Sequence, residues 1–285
     1  MRLCSFRAAD QTLAGVVMGE WIVAVEEINQ RLGTMFAPTL AGLIAWGQIE
    51  ALQEKVQQSS MADYECLAVS STALCVPYAN PCRIWGSSLS ARDHPAGVPL
   101  PTEPAPMRQS AMTIIGPGET MLLSPQSGRS TGAAELGVII GKECRHVALA
   151  DVPQVILGFT TVLAITSEDI LPHSPRSQTH PQCVDTLWSF GPWVVTLDEV
   201  PDVTRLRLAT LLNGVKHHAH SVAHMAVAPY ALVAWHAETR TLKPGDIISC
   251  GSPGAVVIQP ADRVGCEISG IGRLENPVAV LERAP

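Results

Sequence analysis

The chain has 285 residues, of which 47% are hydrophobic and 16% charged, and its formal net charge is −7. This length and composition suit one large domain, or a main domain with a smaller partner, and they allow a sizeable core. The acidic balance, without a cluster of Lys and Arg, argues against nucleic acid or an anionic membrane as the main partner. No apolar stretch approaches the roughly 20 residues that a membrane-spanning helix needs.

Residues 1–77 read as a small N-terminal α/β domain. Alternating apolar residues predict strands at 3–6, 13–18 and 21–25, and helical spacing predicts helices at 40–46 and 49–56. The first seven residues lack the apolar run of a signal peptide. The eight cysteines lie singly, without a Cys-x-x-Cys pair, so we expect reduced thiols and a cytoplasmic location.

The sequence pattern of residues 78–285 predicts a mainly β domain, with strand-like segments separated by glycine and proline. Strands are predicted at 136–140, 155–165, 193–196 and 206–212, with a helix as the alternative for the first part of 155–165. Four prolines within residues 97–107 predict an exposed loop that forms neither a helix nor a central strand. Asn213-Gly214 predicts a tight hairpin turn, and the proline at the start of residues 229–238 predicts a first helical turn.

Motifs of one known family occur in order along this second domain. They are Ile114-Ile115-Gly116-Pro117-Gly118-Glu119, Glu135 to Lys142, Gly158-Phe159-Thr160-Thr161, Phe190-Gly191-Pro192-Trp193, Lys243-Pro244-Gly245-Asp246 and Gly270-Ile271-Gly272-Arg273. From Arg83 to the C-terminus the chain resembles the fumarylacetoacetate hydrolase family. The resemblance implies a mainly β (α+β) fold, a mixed β-sandwich roll behind a smaller N-terminal domain, and a homodimer.

The resemblance also implies chemistry on small 2-oxo acids or β-dicarbonyls, assisted by a magnesium ion that three carboxylates hold. Those ligand positions are Ala133, Glu135 and Ala164 in this chain. One carboxylate holds magnesium poorly, so we predict that the metal site is lost and that no cofactor is needed. The alternative is a relocated site for Mg²⁺ or another divalent cation, in which Glu135 is joined by a neighbour; the candidates are Glu168, Asp169, His173 and His180. A histidine ligand would favour a transition metal.

The remaining candidate residues are assigned by the same resemblance. His94 stands at the position of a catalytic histidine, although Gly97 replaces its glutamate partner, and a surface role for His94 remains open. Gln182 replaces a lysine, and the loop Gly251-Ser252-Pro253-Gly254 stands where the family grips a substrate carboxylate. Two interpretations of Glu135 are open. It acts as a general acid or base with a raised pKa, or it has a structural role only.

Four histidines follow the predicted hairpin: His217, His218, His220 and His224. A solvent-exposed strand edge explains them better than a metal or proton-transfer cluster. The function predicted from the sequence is proton transfer on a small carboxylate or dicarbonyl, such as tautomerisation, decarboxylation, dehydration or cyclisation. The alternatives are a metal-dependent C–C hydrolase or decarboxylase with relocated ligands, and an inactive binding or scaffold subunit.

Overall fold

The computed structural model of the chain describes residues 1–79, 83–87, 106–109, 114–169 and 186–281. Strands predominate in these ranges, which confirms the mainly β prediction. The described part contains no helix that is long and apolar enough to cross a membrane. Its six described cysteines are free thiols.

The N-terminal part contains three helices and the first five strands. In chain order these are β1 (Arg2–Ala8), β2 (Gln11–Met18), β3 (Trp21–Ala24), α1 (Val25–Leu32), α2 (Leu40–Ala45), α3 (Ile49–Gln57), β4 (Cys66–Ala68) and β5 (Leu74–Cys75). Apolar residues of the helices, such as Ile28, Leu43 and Leu52, are fully buried. The helices therefore pack on the strands through one apolar side each.

The remaining strands and the fourth helix follow. They are β6 (Ile84–Ser87), β7 (Pro106–Gln109), β8 (Ile114–Ile115), β9 (Met121–Leu123), β10 (Ser130–Ile140), β11 (Ile156–Ser167), β12 (Trp188–Thr196), β13 (Arg207–Leu212), β14 (Val215–Ser221), α4 (Pro229–Thr239), β15 (Ile247–Ser249), β16 (Ala255–Ile258), β17 (Arg263–Ile268) and β18 (Gly272–Val280). The predicted hairpin is confirmed, because Asn213 and Gly214 have φ values of 51° and 81°.

Two sheets organise these strands. Thirteen strands form the larger one, whose main path runs β4-β3-β2-β1-β12-β11-β10-β15-β6-β7, and five form the smaller one in the order β14-β13-β17-β18-β9. Strand β1 pairs with β12, so the larger sheet continues across residue 77. The division into domains 1–77 and 78–285 stays a prediction.

The central strands β10, β11 and β12 are covered on both faces. On one face, Leu136 and Leu163 pack in a core that includes the smaller sheet and α4. On the other face, Val162 and Ala164 pack in a core that includes the N-terminal helices. Adjacent residues of a strand point to opposite faces, so each of these strands contributes to both cores.

Two predicted segments were wrong in detail. Val25 begins α1 rather than ending a strand, and α1 was not predicted at all. Pro106 and Met107 belong to β7, although the four prolines predicted a loop through residue 107. Strand β7 lies at the edge of its sheet, where a proline without an N–H is tolerated.

Candidate functional site

Glu135 lies in the middle of β10, directly opposite Val162 of β11. Its side chain is half-buried on an otherwise apolar strand. By the alternation along β10, it points to the same face as Ala133 and Ile139, toward the core formed with the N-terminal helices.

A row of small residues crosses this face two positions before Glu135. Ala133 of β10 pairs with Ala164 of β11 and, on its other side, with Ala255 of β16. Ala164 pairs in turn with Trp188 of β12, a fully buried residue. Opposed side chains of an antiparallel pair lie about 5 Å apart. Carboxylates at positions 133 and 164 would therefore be close enough to bind one cation, whereas the two alanines make this part of the sheet surface apolar.

Ser249 is the hydrogen-bond partner of Glu135. The Ser249 hydroxyl is fully buried and donates to Oε2 of Glu135. Burial raises the pKa of Glu135 to about 7, and the bond from Ser249 acts in the opposite direction by stabilising the carboxylate. Glu135 is thus present in both protonation states near neutral pH. One signal in the sequence could have identified Ser249: a hydroxyl at the end of an apolar, buried strand requires a hydrogen-bond partner.

The fold places the loop Gly251-Ser252-Pro253-Gly254 beside Glu135. Both β15 and β16 pair with β10, at residues 137–139 and 130–133, so the loop between them passes the stretch that contains Glu135. Positive φ values of 82° at Gly251 and 149° at Gly254 form the turn. The structure therefore brings together Glu135 and the predicted carboxylate-binding loop.

Within this loop the Ser252 hydroxyl is already engaged. It accepts a hydrogen bond from the Gly254 N–H at 3.1 Å and lies 3.2 Å from the Gly254 carbonyl oxygen. Thr210 of β13 anchors the loop, because its hydroxyl donates to the same carbonyl at 2.7 Å and accepts from the Ala134 N–H. Among the described residues, the N–H groups of Gly251 and Ser252 have no acceptor.

The histidine cluster is partly connected to this loop. A Cβ built on Gly254 would lie 2.7 Å from Cγ of His218, so the imidazole packs directly on the glycine. His217 and His224 are exposed, and β14 is an edge strand of the smaller sheet. His218 is half-buried, and sequence reasoning did not assign it a role beside the loop.

Glu168 and Asp169 are not brought to Glu135. Glu168 lies six residues beyond Val162 along β11, which corresponds to about 20 Å at the rise of a strand. It bonds Arg129 at 2.7 Å, and Asp169 accepts from the Ser127 hydroxyl at 2.7 Å and the Gly128 N–H at 2.6 Å. The other predicted candidates lie outside the described residues: His94, Gly97, His173, His180 and Gln182.

The described residues do not fit the magnesium ion that the resemblance implies. Of the three ligand positions on this face, only Glu135 carries a carboxylate, and that carboxylate is bonded to Ser249. No group of three His, Cys, Asp or Glu residues in the described ranges is arranged to hold a metal ion. A hard cation needs several oxygen ligands, which Ala133 and Ala164 cannot provide.

A separate cleft of about 530 Å³ lies between α3 and the end of β10. The ion pair between Lys142 and Glu50, at 2.8 Å, links its two sides. Glu135 does not line this cleft.

Most of the chain matches one known family. Residues 75–279 match the family described as Fumarylacetoacetate (FAA) hydrolase C-terminal, which spans β10, β11 and the loop beside Glu135. The chain belongs to the fumarylacetoacetate hydrolase family. As a family member, it is similar to isomerases, hydrolases and tautomerases.

One curated relative is the oxaloacetate tautomerase FAHD2B, mitochondrial, of Homo sapiens. It is 28% identical over 242 residues, which cover 81% of this chain and 77% of that protein. Two solved structures share the fold across 99% of this chain and 100% of their own. A maleylpyruvate hydrolase from Sphingobium sp. SYK-6, in complex with manganese(II) and pyruvate, has a TM-score of 0.82 and 24% identity. A fumarylacetoacetate hydrolase from Exiguobacterium antarcticum has a TM-score of 0.84 and 20% identity.

Proposed function

We propose that this chain is an enzyme that transfers a proton within a small 2-oxo acid or β-dicarbonyl, with keto–enol tautomerisation as the reaction. Glu135 is the general acid and base. The observation that carries the proposal is the position of Glu135, a lone carboxyl bonded to the buried Ser249 and next to the loop between β15 and β16; burial raises its pKa to about 7. A group that must take up and release a proton in one catalytic cycle works best with a pKa near the working pH.

The proton movement needs only one carboxyl. The Glu135 carboxylate accepts a proton from the carbon next to the keto group, and the electron pair of the broken C–H bond forms the enolate double bond. The protonated Glu135 then delivers the proton to the enolate oxygen. Ser249 holds the carboxyl in place during both steps, because its hydroxyl donates to Oε2.

The neighbouring loop supports recognition of an anionic substrate. The N–H groups of Gly251 and Ser252 have no acceptor among the described residues, and the loop passes the stretch of β10 that contains Glu135. Backbone N–H groups are suitable donors to a carboxylate or an enolate oxygen. Similarity to an oxaloacetate tautomerase makes oxaloacetate the first substrate to test.

We further propose that the reaction proceeds without the magnesium ion of the family. The support is the apolar row of Ala133 and Ala164 at two of its three ligand positions. The homodimer and the cytoplasmic location stay predictions from the sequence.

The test is Glu135→Gln, assayed for enol–keto conversion of oxaloacetate and of a panel of other 2-oxo acids and β-dicarbonyls. Glutamine keeps the shape but transfers no proton, so we expect kcat to fall by roughly 10²- to 10⁴-fold. Glu54→Gln, at an exposed position of α3, is the matched control and should keep the wild-type rate.

Each outcome separates the alternatives. Wild-type turnover that survives dialysis against EDTA supports the metal-free reaction, whereas turnover that requires added Mg²⁺ contradicts it and favours relocated ligands. Full activity of Glu135→Gln would remove Glu135 from the mechanism. Absence of turnover for the whole panel by the wild-type protein would overturn the enzyme assignment in favour of a binding subunit.

A further inference from the structure

A second cluster of polar and aromatic residues lies on the opposite face of the larger sheet from Glu135. It consists of Trp85 of β6, Trp235 and His236 of α4, and Arg240 at the end of α4, and is called the Arg240 cluster below. Trp85 pairs with Ile248, whereas the next residue, Ser249, points to Glu135. The cluster therefore packs beneath α4 and shares no side chain with the Glu135 site.

Arg240 carries a positive charge without a carboxylate partner among the described residues. Its guanidinium carbon lies 4.6 Å from the ring centre of Trp85 and 5.8 Å from that of Trp235. The nearby Arg83 lies 5.9 Å from the Trp85 ring but is paired with the buried Asp246 at 2.8 Å. Aromatic faces attract a cation, yet they do not neutralise it.

His236 contributes a hydrogen-bond donor. The side chain is fully buried, and burial together with the charge of Arg240 lowers its pKa to about 4, so the ring is neutral at pH 7. Its Nδ1 lies 2.6 Å from Nη1 of Arg240. A guanidinium only donates hydrogen bonds, so Nδ1 must accept and the ring proton is on Nε2.

Two buried N–H donors in the Arg240 cluster have no acceptor among the residues that the structure describes. They are Nε2 of His236 and Nε1 of Trp85, whose rings lie 5.8 Å apart between centres. Leaving a buried donor unpaired is unfavourable, because the donor has lost its hydrogen bonds to water, so such groups are normally satisfied by protein, water or an ion. Within the described ranges, both unpaired groups are donors, and they lie beside a half-buried cation that has no carboxylate partner.

We propose that the Arg240 cluster binds a small anion, with the N–H groups of Trp85 and His236 as donors and Arg240 as the countercharge. A negative acceptor satisfies both donors and neutralises the charge, whereas a water molecule satisfies only the donors. The shared chemistry is a compact anion, either a free halide or the carboxylate of a small molecule. This site is separate from the proposed catalytic function, and each is tested independently.

The test follows the indole N–H of Trp85 by NMR in protein labelled with ¹⁵N-tryptophan, and the signal is assigned by its loss in Trp85→Phe. Sodium chloride and sodium acetate are titrated separately, with the bulky HEPES anion keeping the ionic strength constant. We expect a saturable shift of the Trp85 signal. In Arg240→Gln the anion should bind roughly tenfold more weakly or not at all, because it loses the positive countercharge that offsets the cost of burying its own charge.

Two further variants keep the result interpretable. Arg7→Gln removes an exposed arginine from β1 and should leave the titration unchanged. Arg240→Lys keeps the charge without the planar guanidinium, so it should weaken binding less than Arg240→Gln and serves if the latter does not fold. Saturation by chloride alone identifies an inorganic anion, and saturation by acetate identifies a carboxylate. No shift with either anion, or the same unsaturable shift in wild type and Arg240→Gln, would overturn the proposal in favour of buried water.

Discussion

The Glu135 site and the Arg240 cluster lie on opposite faces of one sheet, and burial acts on them in opposite directions. Burial raises the pKa of the acid Glu135 to about 7 and lowers the pKa of the base His236 to about 4. In both places removal of water favours the neutral form. The two sites differ in their neighbouring groups: Glu135 has one hydrogen-bond donor, whereas His236 has a permanently charged guanidinium.

Glu135 has a satisfied partner in Ser249, and its charge can appear and disappear near neutral pH. A proton can therefore move through this site. The Arg240 cluster has a guanidinium that stays charged and two donors that find no acceptor in the described part of the chain. It is suited to holding an anion. The same physical effect thus supports proton transfer on one face and anion binding on the other.

The largest expected effect is on the pH dependence of stability. The pKa of Glu135 is raised from 4.5 to about 7, so the folded state holds this proton more tightly, and stability is lost as the pH rises through that window. The pKa of His236 is lowered from 6.5 to about 4, so stability is lost as the pH falls from 6.5 toward 4. Each contribution amounts to about 3 kcal/mol at most, and between pH 4.5 and 6.5 they oppose each other.

Removing either Glu135 or His236 should expose the pH dependence of stability that the other residue contributes. We expect Glu135→Gln to become more stable as the pH rises from 5 to 6.5, and His236→Asn to become less stable over the same range. Urea unfolding at pH 5, 6 and 7 measures both slopes, with the wild-type protein as the flatter reference. A Glu135→Gln profile that matches the wild type would show that this carboxyl titrates normally, and the contrast between the two faces would fail.

A smaller effect is expected from the backbone beside Glu135. Gly254 has a φ of 149°, and a Cβ there would lie 2.7 Å from His218, so Gly254→Ala adds both strain and a clash. Gly19→Ala is the matched control, because Gly19 has a φ of 63° and nothing within 4 Å of the added Cβ. We expect Gly254→Ala to lower the free energy of unfolding by about 2 kcal/mol more than the control. Equal losses would show that the loop adapts to the added methyl group and that the Glu135 site does not depend on this backbone conformation.

Much of this fold could be predicted from local sequence patterns. The apolar runs of β10 and β11 predicted strands, and the proline at residue 229 predicted the first turn of α4. The eight-residue α1 was missed because it follows a strand without a polar N-cap, since Ala24 occupies that position. Local patterns therefore identify long elements better than short ones.

The candidate site was predictable only in part, because its contacts join distant segments. The resemblance identified positions 133, 135 and 164, and the pairing of Ala133 with Ala164 places them on one face. Ser249 was not predicted, since it meets Glu135 across 114 residues of sequence. Trp85 and Arg240 were missed for the same reason, because only the packing of α4 on β6 brings them together.

The smallest expected effect is on the pKa of Glu135, and it comes from the hydrogen bond that Ser249 donates to this carboxylate. Ser249 donates to the carboxylate and thereby keeps the pKa of Glu135 lower than burial alone would. In Ser249→Ala the pKa of Glu135 should rise further, and the midpoint of the pH profile of kcat/KM should move upward with it. Ser5→Ala is the control, because this equally buried hydroxyl bonds the Pro77 carbonyl and should affect stability without moving the midpoint. An unchanged midpoint in Ser249→Ala would mean that burial alone sets the pKa of Glu135. The hydrogen bond from Ser249 would then not explain the difference between the Glu135 site and the Arg240 cluster.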